Sequence, residues 1–317
     1  MYVAKKVVSV DIGSSLIKLV QLSQSSGKIR LERVEVIDNP ISNFRTDGYR
    51  VDKNAIARAI RYSLRKSRIK ARDAVSSLGG SSIIIQYFKF PPFSEKELES
   101  AVKLEAQRVM GGKLDGMETD FQILPQNQKG AEGQEILFVA VPKGMIRQRM
   151  ETLQQAGLNP IAIDIDCLAL SNCFLRLGNL ASEERVMVLN LGARLINLGI
   201  LGKDNLHFVR DISLESGTSL DFKDMSMVNR VVEEIRRSIH YYEERARGPK
   251  VARIFLTGGG TAASEASDLF SKALEIPAEK WNPLKGLEFD SGKLGHEFKE
   301  SQGYLLAIAI GLGLREK

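Results

Sequence analysis

Cysteine is nearly absent. The 317 residues contain two, Cys167 and Cys173, six positions apart, and no CxxC occurs. With only three histidines besides, neither a disulfide scaffold nor a zinc cluster is expected, and a reducing compartment is the expected setting. Long apolar runs are missing as well. The run after Lys5 and Lys6 is stopped by Asp11 before a signal-type apolar core forms. Residues 305–314 give ten apolar or small positions, about half of what a bilayer span needs. Neither charge sign dominates: 45 Lys and Arg face 39 Asp and Glu, a net +6 that favours anionic surfaces without choosing among them. What is present is globular. A hydrophobic share of 43% with 26% charged residues excludes a disordered or collagen-like chain. The length calls for two domains or one duplicated one.

The most informative feature is an internal repeat. Residues 7–22 read VVSVDIGSSLIKLVQL and residues 186–201 read VMVLNLGARLINLGIL; 6 of 16 ungapped positions are identical, among them Gly13/Gly192 and Leu16/Leu195. Each predicts strand, turn, strand, so two equivalent hairpins open two halves of the chain. In the first, Leu16, Lys18, Val20 and Leu22 share one face of the second strand. The turn Gly13-Ser14-Ser15 exposes backbone N–H groups of the kind that attract phosphate. Asp11, just before it, is placed to hold Mg²⁺ directly or through water. Lys18 is either a phosphate neutraliser or a solvated strand lysine. A third piece, IFLTGGG at 254–260, predicts a buried strand ending in Gly258, Gly259 and Gly260 with a helix starting near Thr261, whose dipole favours anions.

Between these pieces the pattern predicts a third strand at 29–37 and a helix over 52–68. Asp52 would cap the helix, with Ile56, Ala59, Ile60 and Leu64 on one face. Its opposite stripe holds Arg58, Arg61, Arg65, Arg68 and Arg72. Such a stripe suits a solvated face, a lipid surface or nucleic acid, and no aromatic interleaving supports base stacking. Residues 81–158 read as a compact strand–helix–strand–strand–helix unit. Its first helix has a Ser94/Glu97 capping box and apolar Leu98, Val102, Leu104 and Val109, and a polar loop lies at 126–134. A strand at 161–165 and a helix at 167–178 follow, the helix holding both cysteines as buried apolar residues. The helix over 226–247 aligns Val228, Val231, Val232, Ile235, Ile239 and Tyr242 on one packing face.

VSVDIGSS, VLNLGARLINL and IFLTGGG resemble the two phosphate hairpins and the adenosine motif of the actin-like superfamily. The resemblance narrows to the PilM family of type IV pilus assembly proteins. It is carried, in collinear order, by IIQYFKFPPFSEKELESAVKLEAQRVM, PKGMIRQRMETLQQAGLNPIAIDIDCLAL, HFVRDISL, EIRRSIHYYEE and GYLLAIAIGLGLR. This implies an α/β chain with the duplicated actin-like (ribonuclease H-like) two-domain fold and an inserted α+β subdomain in the first half. Domain I would span 1–80 and 159–183, the insert 81–158, domain II 184–302 with a reduced lid, and a C-terminal helix 303–317 would return to domain I.

The resemblance implies a nucleotide site at Asp11, Gly13, Ser14, Ser15, Lys18, Asn190, Gly192, Gly258, Gly259 and Gly260, with ATP and Mg²⁺ as cofactors and Asp11 on the metal. It also implies a partner, the cytoplasmic tail of a PilN-like bitopic membrane protein, lying extended between the first domain and the insert. Other pilus assembly platform proteins would join it. The location implied is cytoplasmic, peripheral at the inner membrane through partners, with no nucleic acid bound. The chain departs from the family at Asn190, where an acidic residue is usual, and at Ala193, Arg194 and Leu195, where small hydroxyl residues are. The interval 213–226 is short for a nucleotide lid. These departures imply weak or absent ATPase activity. A kinase or ATPase remains the alternative, with Asp164 and Asp166 as candidate bases, and an FtsA-like filament-forming protein is another.

Overall fold

The computed structural model describes residues 7–25, 27–41, 54–124, 133–181, 184–203, 205–214, 219–246, 249–291, 294 and 298–315. The first half contains β1 (Val7–Ile12), β2 (Leu16–Ser25), β3 (Lys28–Asp38), α1 (Ala55–Lys66) and β4 (Asp73–Leu78). It continues through β5 (Ile84–Phe90), α2 (Glu95–Met110), β6 (Met117–Leu124), β7 (Gln134–Pro142), α3 (Lys143–Gln155), β8 (Asn159–Ile165) and α4 (Asp166–Leu177). The second half contains β9 (Val186–Leu191), β10 (Leu195–Leu201), β11 (Leu206–Ser213), α5 (Met225–Ala246), β12 (Arg253–Thr257) and α6 (Ala266–Leu274). Short strands β13 (Ala278–Lys280) and β14 (Glu288–Phe289) precede α7 (Ala307–Gly313).

The strands build three sheets, ordered β14-β3-β2-β1-β4-β8, β11-β10-β9-β12-β13 and β5-β7-β6. With β14 set aside, the two large sheets are copies of each other. In each, three antiparallel strands are followed by two parallel ones. The register repeats too: Asp11 faces Lys18 and Ile12 faces Ile17, as Asn190 faces Asn197 and Leu191 faces Ile196. Both turns close with one backbone bond, Gly13 N to Leu16 O at 3.0 Å and Gly192 N to Leu195 O at 3.1 Å. The sequence repeat is a repeat of structure.

Alternating side chains bury both faces of each sheet. Ile17 and Leu19 pack with Val8 and Val10 under α1 and α3. Val20, on the opposite face, joins α4, α7, Val186, Val188 and Phe255 between the two sheets. The far side of the second sheet is covered by α5 and α6, α5 using Val228, Val231, Val232, Ile235 and Tyr242 as its pattern predicts. Helices α4 and α7 lie close together. A side chain at Gly311 would begin 1.7 Å from the Ala169 carbonyl oxygen. Cys167 and Cys173 are free and buried in α4, where burial holds both thiols well above their ordinary pKa.

The third sheet packs one face on α2 and the other on β4, β8 and α4. Ser94 and Glu97 form the expected capping box. The buried stripe of α2, however, is Leu98, Val102, Ala106 and Met110, spaced by four. Leu104 and Val109 fall off that stripe and are 71% and 49% exposed.

Asp52 lies outside the described residues, and Asn54 occupies the position before α1. The helix stops at Lys66, because Arg68 adopts a left-handed φ of 57°. Arg68 and Arg72 therefore lie beyond it. The polar loop 126–134 falls mostly outside the described residues. No helix starts at Thr261. Gly259–Ala262 is a single 3-10 turn, closed by Thr261 bonding back to the Gly258 carbonyl, and α6 begins at Ala266.

Candidate functional site

Because the two sheets are copies, their turns converge on one cleft of about 590 Å³. Asp11, Gly13, Ser14, Ser15 and Lys18 line it from the first half, and Asn190, Gly192, Gly258 and Gly259 from the second. Gly260 does not. A Cβ there would meet Leu191 at 2.8 Å and Leu220 at 2.9 Å, so Gly260 faces the core beneath the loop. Gly258 has φ +87°, and its approach to Asn190 and the Leu191 backbone leaves no room for a side chain. The loop is anchored from outside, since Gly258 N and Thr257 Oγ1 both donate to the Tyr304 carbonyl.

The two hairpins differ in charge at one rung. In the first, Lys18 Nζ bonds Asp11 Oδ2 at 2.9 Å. In the second, Asn190 Nδ2 donates to Asn197 Oδ1 at 2.8 Å. Asn197 Nδ2 then donates to Asp211 Oδ1 at 2.8 Å, and Asp211 Oδ2 accepts from Gly80 N at 2.9 Å. This chain of amides crosses from the second sheet to the end of β4. Burial raises the Asp211 pKa against the hydrogen bonds it accepts. Leu195, the counterpart of Leu16 in the repeat, packs so closely on Gly79 that a Cβ there would lie 2.7 Å from it.

Residues 79–82 and Arg149, which line the cleft, and Asp211, which bonds Asn197 and Gly80 behind it, escape a motif-by-motif reading. The first has a signal. Leu78-Gly79-Gly80 ends β4 as Thr257-Gly258-Gly259 ends β12, the topologically equivalent strand, and Gly80-Ser81-Ser82 repeats Gly13-Ser14-Ser15. Arg149 has no local signal. It reaches the cleft from α3 and donates to Ser76 Oγ at 2.9 Å and the Ser77 carbonyl at 2.7 Å.

Asp164 and Asp166 part ways. Asp166, the first residue of α4, enters the cleft, whereas Asp164 faces a different cavity. Burial, then the charge of Asp11, pushes the Asp166 pKa up to about 7, with Asp211 adding to it. A carboxylate raised from 3.8 to about 7 lowers stability fully above pH 7 and not at all below pH 3.8. Asp166→Asn should therefore stabilise the fold by roughly 2 kcal/mol at pH 8, the gain vanishing towards pH 4. Urea unfolding of both proteins across that range measures the slope, and a pH-independent difference would refute this assignment.

Among the described residues no group of three or more His, Cys, Asp or Glu is placed to hold a metal ion. Asp11 and Asp166 offer two carboxylates that repel each other. That set suits Mg²⁺, which keeps its waters and phosphate oxygens and needs only one or two protein carboxylates.

A second cavity, of about 700 Å³, lies between the third sheet and the first half. Its wall is β6, which among the described residues is an edge strand paired to β7. Glu118, Asp120, Gln122 and Leu124 of that strand line it, and its apolar floor includes Leu137, Val139, Ile163, Ile165 and Leu168. Arg315 pairs with Asp164 at 3.2 Å on the far side, and burial still raises the Asp164 pKa. Helix α3 touches both cavities, with Ile146 in this one and Met145 and Arg149 in the cleft.

Two sheets of identical order and register, meeting at a cleft lined by both hairpin turns and a glycine loop, define an actin-like fold. A solved PilM-PilN type IV pilus biogenesis complex is similar over 97% of both chains, with a TM-score of 0.80 at 22% identity. The ethanolamine utilization protein EutJ from Carboxydothermus hydrogenoformans is similar over 99% of this chain and 90% of its own, with a TM-score of 0.51 at 13% identity. The family described as type IV pilus assembly protein PilM matches residues 9–220 and 225–317, and this chain belongs to that family. No helix among the described residues is long and apolar enough to cross a membrane.

Proposed function

We propose that this protein is a scaffold of the type IV pilus inner-membrane assembly platform. It takes the cytoplasmic tail of a PilN-like bitopic membrane protein, extended, beside β6. The observation that carries this reading is the apolar-floored groove of about 700 Å³ next to an edge strand. Edge strands recruit extended peptides through main-chain hydrogen bonds, and pockets select alternate side chains. The similar PilM-PilN complex supports a partner of this kind. Attachment to the inner membrane, from the cytoplasmic side, would then come through the partner, with other platform proteins joining.

The half-buried Asn172, on the α4 wall of the groove, gives a way to block it. Asn172→Trp should weaken binding of a fluorescein-labelled PilN-like tail at least about tenfold by anisotropy, near 1.4 kcal/mol. Unchanged binding would refute the groove assignment, and no binding by the wild type would refute the partner.

The cleft is read as an ATP site. Its volume lies within the roughly 300–1,000 Å³ of small-molecule sites. The two hairpin turns and the glycine loop at Gly258-Gly259 would hold the nucleotide, Lys18 and Arg149 would neutralise phosphate charge, and Asp11 with Asp166 would receive Mg²⁺. Bound Mg²⁺ would supply charge neutralisation at the phosphates. Asn190 lacks the negative charge that would help hold the metal or orient water, and Leu195 brings no hydroxyl to a phosphate, so weak or absent turnover is expected. Calorimetry with Mg-ATP beside a phosphate-release assay tests this. Steady release abolished by Asp166→Asn would favour the alternative, an ATP-dependent phosphoryl-transfer enzyme, since the pKa of Asp166 in the cleft is pushed up to about 7.

A further inference from the structure

The net charge of the chain has an address. Residues 54–72 hold seven of the 45 Lys and Arg and none of the 39 Asp and Glu. Everything outside that segment carries 38 cations against 39 anions, so the whole positive excess sits in these 19 residues. Folding does not disperse it. Arg58, Arg61 and Arg65 follow each other at helical spacing on the exposed side of α1. Beyond the helix the backbone turns at Arg68 and alternates. Ile69 and Ala71 are 3% and 5% exposed, while Arg68, Lys70 and Arg72 point outward. The cationic row thus continues past the end of the helix. Among the described residues, Glu35 of β3 pairs with Lys66 at 3.1 Å from a nearly buried position. Asp73 accepts from Asn159.

Within the row stands Tyr62, 68% exposed, one residue after Arg61 and three before Arg65. An exposed tyrosine ringed by arginines is the composition of an interface where an aromatic body enters the headgroup region and cations meet lipid phosphates. The layer carrying it, α1 with α3, covers the first sheet on the side opposite α4, α7 and the second sheet. The face is therefore presented without involving the cleft between the sheets.

We propose that the face built by α1 and residues 67–72 is a direct docking surface for an anionic lipid bilayer, in addition to any attachment through a protein partner. Charge complementarity favours this occupant, because anionic lipid recruits clustered Lys and Arg, each changing affinity on the order of fivefold. Tyr62 favours lipid over nucleic acid, since one tyrosine offers no succession of stacking platforms.

The test is co-sedimentation of the full chain with phosphatidylcholine vesicles containing roughly a third phosphatidylglycerol, whose negative surface attracts clustered Lys and Arg. Binding should fall steeply with added salt and be absent on pure phosphatidylcholine. Arg58→Gln/Arg65→Gln/Lys70→Gln should weaken it about a hundredfold, and Tyr62→Ser several-fold. Equal binding to neutral vesicles, or no binding at low salt, would overturn the proposal, and both are read on the wild type alone. Binding to duplex DNA as tight as to anionic vesicles and indifferent to Tyr62→Ser would assign the face to nucleic acid and overturn it as well.

Discussion

Gly311→Val is expected to cost about 3 kcal/mol or more, the largest loss of any single change considered. The reason is the contact between α4 and α7. An ideal Cβ at position 311 lies 1.7 Å from the Ala169 carbonyl oxygen and 2.6 Å from its carbon. Both are backbone atoms of a helix, so no rotamer change relieves the overlap, and the helices must separate. They form the layer between the two sheets, where Leu170, Phe174, Ile308 and Ile310 are buried. Two further glycines calibrate the claim. Gly313→Ala meets Leu22 and Ser9 side-chain atoms at 2.9 Å, which can yield, so about 1 kcal/mol is expected. Gly144→Ala in α3 meets nothing within 4 Å and should be neutral or gain about 0.5 kcal/mol. Urea unfolding of the three variants should rank them in that order. A Gly311→Val protein as stable as Gly144→Ala would refute the α4–α7 contact.

Arg245→Ala is expected to cost roughly 2–3 kcal/mol and to loosen the third sheet from the second half. Arg245 Nη1 bonds Glu135 Oε1 of β7 at 2.6 Å, and its Nη2 donates to the His207 carbonyl at 2.9 Å. Its guanidinium lies 4.0 Å from the centre of the Tyr87 ring, which stacks on Phe208. The Tyr87 hydroxyl also accepts from Val209 N at 2.6 Å, and burial keeps it protonated by raising its pKa. One side chain of α5 thus ties β5 and β7 to β11. Removal leaves a Glu135 carboxylate that is 27% exposed without this cation, so the loss is set below that of a fully enclosed pair. Arg245→Lys should recover little, because an ammonium cannot make the forked contact and lie flat on the ring. A double-mutant cycle with Glu135→Gln isolates the ion pair, with a coupling above about 1 kcal/mol expected. A cycle that closes near zero would reassign the effect to the Tyr87 contact.

The duplicated frame was legible in the sequence because strand periodicity and turn glycines act locally. Gly13 and Gly192 close their turns with the same bond, and the register follows from that closure. The apolar face of α5 was legible for the same reason; in α1, Ile60 and Leu64 are buried as expected, but Ala57 and Ser63 complete the buried stripe and Ile56 and Ala59 are only half-buried. The misplaced features depend on distant partners. The choice of Ala106 and Met110 over Leu104 and Val109 is made by Phe88, Ile136 and Phe138 of another sheet. The turn after β12 is held by Tyr304, far along the chain, and no local pattern announces that the helix is delayed to Ala266. In the cleft, glycines and hairpin residues were found by motif. Arg149, and Asp211 which braces Asn197 from behind, were not, because each arrives from an element whose own pattern is ordinary.

The rung that differs between the hairpins bears on the order in which such a chain can change. Asp11 with Lys18 and Asn190 with Asn197 are equivalent pairs, each satisfied internally. Turning one pair into the other takes two substitutions, and either alone leaves a poorly hydrated charge facing an amide. The intermediate is worse than both ends, so the two positions are epistatic: neither is neutral until the other has moved. Asn190→Asp by itself is therefore a poor route back to a charged second hairpin. It would also set a new carboxylate beside the Asn197–Asp211 link, and Asn197→Lys would have to accompany it.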